Sequence, residues 1–78
     1  MAKQGQLQEA LKFHSKHLQI SLEIGDRDGE ALASRELAKD HARLGNASQA
    51  EVWRQKALII QQELDTFVEV FSLPHPQR

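Results

Sequence analysis

The chain has 78 residues, ten of them basic and eleven acidic, for a formal net charge of -1. That near balance excludes the basic surface of a general nucleic-acid binder. The lack of cysteine excludes disulfide or thiolate-metal support for the fold. No apolar run reaches the roughly 18 residues of a membrane span, and Met1-Ala2-Lys3-Gln4-Gly5-Gln6 leads into an amphipathic pattern rather than a secretory leader. A soluble, reducing, cytoplasmic setting is expected.

The first helix is expected from Gln6 to Ile24. Leu7, Leu11, His14, Leu18 and Ser21 form one stripe at three-and-four spacing, and Ala10, Phe13, His17, Ile20 and Ile24 form a second beside it. Together they make a face wider than one helix contact requires, which implies neighbours on two sides. Gly25 can close this helix in the left-handed conformation, and Asp26 can cap the next.

The second helix is expected from Arg27 to Leu44. Its apolar positions are Ala31, Ala33, Leu37, Ala38, Ala42 and Leu44, with His41 among them. Small side chains on this face let helix axes approach closely. Gly29 in the first turn should weaken the start by about 1 kcal/mol relative to alanine.

A joint then follows at Gly45-Asn46-Ala47-Ser48-Gln49-Ala50. Gly45 suits a left-handed helix end. Asn46 and Gln49 have the spacing of a capping box.

The third helix is expected from Ala47 to Phe71, with Ala50, Trp53, Ala57, Leu58, Ile60 and Leu64 as its core stripe and Val52 and Ile59 widening it. An extended conformation is the alternative for residues 66–71, which are β-prone. Pro74 and Pro76 stop regular structure. The expected fold is all-α: three antiparallel helices forming one unit over residues 1–73, then a disordered tail over residues 74–78.

Shifted by forty residues, the chain matches itself. Ala2/Ala42, Gly5/Gly45, Ala10/Ala50, Lys16/Lys56, Leu18/Leu58, Ile20/Ile60 and Glu23/Glu63 are seven identities in 24 pairs, where typical frequencies would give about one or two. Phe13/Trp53 and Ile24/Leu64 are similar pairs. The match stops at Gly25/Asp65, where the first copy turns and the second does not.

This pattern resembles the tetratricopeptide repeat, which stacks helix pairs with glycine at the joint and small residues where the helices touch. Gly45 matches the joint glycine, Leu37 the core leucine, and Ala38, Ala50 and Ala57 the small packing positions; Gly5 and Ala10 match the preceding copy. Ser34, His41 and His17 depart from the pattern, standing where an aromatic, a tyrosine and an alanine are common. The forty-residue spacing is similar to the longer repeats of G-protein-regulator and kinesin-light-chain scaffolds. The resemblance implies a second helix followed by one complete pair, about one and a half repeats, as in an excerpt of a longer array. The competing reading is an unrelated three-helix bundle.

The function it implies is non-enzymatic: a scaffold or adaptor that binds a peptide or helix of a partner protein. Arg35, Lys39 and Arg43 share a helix face. In the resembled family that helix lines the binding groove, so the three cations would face an acidic peptide or a C-terminal carboxylate. They also read as an ordinary solvated face. Glu36 stands where carboxylate-binding members commonly carry a polar or basic residue.

A second functional reading is structural. Phe67, Val70 and Phe71 fall on one side of the continued third helix and could join two chains into a homodimer.

His14 and His17 have a spacing that can share a metal with a third ligand, but histidines at half-buried helix contacts explain them more simply. Trp53, at the position of Phe13, reads as a packing residue or a partner anchor. Ser15, Ser21, Ser34, Ser48 and Ser72 sit in no nucleophile-elbow context, and no phosphate-binding glycine loop occurs. No cofactor, metal, nucleic acid or membrane partner is expected.

Overall fold

A computed structural model of the chain describes residues 4–72, with side chains for residues 5–67. It contains α1 (Gln4–Ile24), α2 (Arg27–Arg43) and α3 (Ala47–Ser72). The β-prone segment at residues 66–71 is helical, continuing α3. Residues 73–78, which include the expected tail, lie outside the described residues.

Both turns are built the same way. Gly25 and Gly45 have φ of 73° and 83°, in the left-handed region that glycine reaches without strain. The amide of Asp26 donates to the Ser21 carbonyl at 2.8 Å, and that of Asn46 donates to the His41 carbonyl at 2.7 Å. These bonds spanning five residues are the signature of a Schellman helix end. The Asp26 side chain then accepts from the Gly29 amide at 3.0 Å, capping α2. The Asn46 amide group reaches back instead, to within 3.3 Å of His41 Nδ1. Gly5, the echo of Gly45, lies inside α1.

The two tight turns fold α1 and α3 back onto opposite sides of α2, and α1 and α3 bring no Cα atoms within 8 Å of each other among the described residues. The core therefore centres on α2, which buries Ala31, Ala33, Ser34, Leu37 and Asp40; α3 adds Ala50, Ala57 and Ile60, and α1 adds Ser21. Only Leu37 and Ile60 among these are large and apolar, so close approach of small residues holds the helices together.

The arrangement is elongated. Its radius of gyration is 15.8 Å, against about 11–12 Å for a compact domain of this length. One cause is that α3 has 26 residues and α2 has 17, so α3 outruns its neighbour by about 13 Å at the helical rise.

Two sequence expectations change here. The wide face of α1 has a neighbour on one side only, α2, so Phe13, Ile20 and Ile24 are exposed. Gly29 is not a mere weak point. A Cβ there would lie 2.5 Å from Asp26 Oδ2 and 2.6 Å from Ser21 Oγ, so any larger residue would force the Asp26 cap and the buried Ser21 side chain to shift.

Candidate partner-binding groove

The small residues that bring α2 and α3 together also leave space beside the seam. Ala38 and Ala42 of α2 and Ala50 and Ala57 of α3 line a groove of about 380 Å³, with Leu58 as an apolar wall. Alanine supplies no side chain beyond Cβ, so the floor stays shallow and apolar. Leu58, expected in the core stripe, is exposed because α3 has no second neighbour on that side.

The rim is cationic. Arg35 and Lys39 come from α2 and Arg54 from α3, and no carboxylate is among the lining residues. Arg35 Nη1 donates to the neutral amide of Gln61 at 3.2 Å. Lys39 Nζ lies 3.4 Å from Glu36 on its own helix, and Arg54 pairs with Glu51 one turn earlier. All of these partners are exposed or half-buried, where such pairs hold a cation weakly. Arg43 sits in the last turn of α2, exposed, and is not part of the lining. Arg54 could have been found in the sequence. It stands forty residues after His14, which faces α2, but reading cations along one helix at a time does not join it to Arg35 and Lys39.

A second cleft, about 430 Å³, opens where α1 and α3 flank the first half of α2. Leu18 and Leu22 face Trp53, Ile59 and Ile60 across it. It carries Glu30 and Lys56, one charge of each sign, and so has no preference for an acidic or basic ligand. Trp53 is half-buried with the Lys56 ammonium 4.6 Å from its ring centroid, within cation–π range.

The strongest polar contact lies elsewhere. His14 Nδ1 of α1 is 2.5 Å from Asp40 Oδ2 of α2, and Asp40 is 1% exposed, with its other oxygen buried and unpaired. The sequence reading missed Asp40, although it continues the Ala33–Leu37 stripe at three-residue spacing. Two groups do not make a metal site, and no cluster of three or more candidate ligands occurs among the described residues. At the other seam, Arg27 bonds both Glu30 and Glu63. These contacts raise its pKa, the Glu30 hydrogen bond most and Glu63 next.

Phe67 is exposed near the end of α3; the side chains of Val70 and Phe71 lie outside the described ones. No helix among the described residues is long and apolar enough to cross a membrane.

A family model described as tetratricopeptide repeat matches residues 1–63. No curated protein and no solved structure matches significantly.

Proposed function

As this chain belongs to the tetratricopeptide-repeat family, whose members typically serve as non-enzymatic interaction scaffolds, we propose that it binds an acidic peptide or helix of a partner protein in the groove between α2 and α3. One observation carries the reading. An apolar floor is bordered by Arg35, Lys39 and Arg54 with no acid among the lining residues. Such a groove desolvates a small apolar face while its rim selects negative charge and speeds encounter. Arg43, at the end of α2, extends the same positive field.

The test is the double reversal Arg35→Glu, Lys39→Glu. Binding of a glutamate-rich amphipathic peptide should be lost while helicity stays intact, and binding to the unaltered chain should weaken with added salt. Equal binding by the double variant would remove this groove as the site.

A second reading is self-association through Phe67, Val70 and Phe71. The helical backbone of α3 as far as Ser72 favours it, because it places these three residues on one side. Deleting residues 66–78 should then lower the mass of the assembled species in solution. An unchanged mass would exclude it.

A further inference from the structure

The groove between α2 and α3 has a cationic rim, Arg35, Lys39 and Arg54, and no acid among its lining residues. The helix that forms one of its walls carries the opposite chemistry further on. Residues 62–72 of α3 hold three acids, Glu63, Asp65 and Glu69, five large apolar residues, and no lysine or arginine. Glu63 meets Arg27 where α2 begins. Asp65 is exposed and accepts a hydrogen bond at 3.1 Å from the amide of Gln61, which does not neutralise its charge. Glu69, four residues on, shares the helix face of Asp65. This acidic segment cannot reach its own groove. α3 lines the groove as far as Gln61 and continues as one helix to Ser72, so residues 62–72 lead away from it. The lengths correspond, since Ala50 to Gln61 spans about 16 Å of α3 and residues 62–72 span about 15 Å at the helical rise.

We propose that the acidic end of α3 from a second copy of this chain occupies the groove. This pairing rests on the groove being the site of an acidic helix, as proposed above, and names that helix. Groove and acidic segment are consecutive on α3. One two-fold axis that sets two α3 helices antiparallel therefore seats each acidic end in the other copy's groove, a self-complementary and closed arrangement. Asp65 and Glu69 of one copy then face Arg35, Lys39 and Arg54 of the other. The arrangement differs from pairing through Phe67, Val70 and Phe71 alone, where like meets like and the groove cations play no part.

Light scattering on the full chain reads mass against concentration. The unaltered chain should dimerise, and less so as salt rises. One variant carries Arg35→Glu and Lys39→Glu, and a second carries Asp65→Lys and Glu69→Lys. Each alone sets like charges against each other in both contacts and should weaken dimerisation by about tenfold or more. Mixed one to one, the two variants oppose unlike charges in both contacts and should dimerise again. Circular dichroism checks that both stay helical, and recovery in the mixture excludes misfolding as the cause of the loss. An unaltered chain that stays monomeric up to about 1 mM overturns the proposal. So does dimerisation that survives Arg35→Glu with Lys39→Glu, or a mixture that stays monomeric. A glutamate-rich amphipathic peptide separates this failure from that of the groove itself. If the proposal holds, the peptide competes and lowers the mass. Peptide bound by a monomeric chain through Arg35 and Lys39 keeps the groove as a site and removes only the second copy as its occupant, whereas peptide that does not bind a monomeric chain removes both.

Discussion

The two seams of α2 are held in different ways. Against α1, α2 places a buried carboxylate on a histidine and a glycine beneath Asp26 and Ser21. At the α3 seam the buried side chains of α3 are Ala50, Ala57 and Ile60, and the charges stay at the edge, where Arg27 meets Glu63. One seam depends on a few polar atoms in a fixed register. The other spreads its burial over small apolar side chains and keeps its charges at the exposed edge. The two seams thus carry polar inter-helix contacts in opposite circumstances, His14–Asp40 buried at the carboxylate and Arg27–Glu63 exposed, and changing each in turn tests whether burial decides their worth.

The largest effect is expected at His14. His14→Ala leaves the Asp40 carboxylate buried without a partner and should destabilise by about 3 kcal/mol. Replacing both, as His14→Leu with Asp40→Val, should recover most of that loss, because the buried charge goes with its partner. Urea denaturation of the three chains measures both quantities. A His14→Ala loss below about 0.5 kcal/mol would mean that Asp40 finds water or another donor.

Next come the close approaches. Ala50→Leu at the α3 seam should cost about 1–3 kcal/mol through overpacking. Gly29→Ala tests the first seam against intrinsic propensity. Propensity alone favours alanine by about 1 kcal/mol, whereas the added Cβ would press on Asp26 and Ser21. A fall in melting temperature is the expected outcome, and a rise would show that α1 and α2 can separate there without loss. Glu63→Gln is the smallest change. Its pair with Arg27 is exposed on both sides, so the melting temperature should barely move.

These contrasts also mark what can be read from the chain alone. The helices and both turns were legible, because Gly25 and Gly45 act on their own few residues. So were the cations Arg35 and Lys39, which one helix face brings together. The His14–Asp40 pair was not, since it depends on the register between two helices, and an aspartate inside a helical pattern reads as solvent-facing. Gly29 misled for a similar reason. Its propensity is local, but the atoms that a Cβ would press on include Ser21 Oγ on the preceding helix. The forty-residue repeat showed that α1 and α3 share a stripe, yet which copy is covered follows from the order of the helices in space. Leu58 and Ile20 fall on open faces for that reason.

Whether the groove between α2 and α3 holds a peptide is read residue by residue from amide chemical shifts. Adding a capped, glutamate-rich helical peptide to the isotopically labelled chain should shift Ala38, Lys39, Ala42, Arg54 and Leu58, with the shifts shrinking as salt rises. Shifts gathered instead on α1 or around Trp53, or none at peptide concentrations up to about 1 mM, where binding is weaker than about -4 kcal/mol, would contradict it.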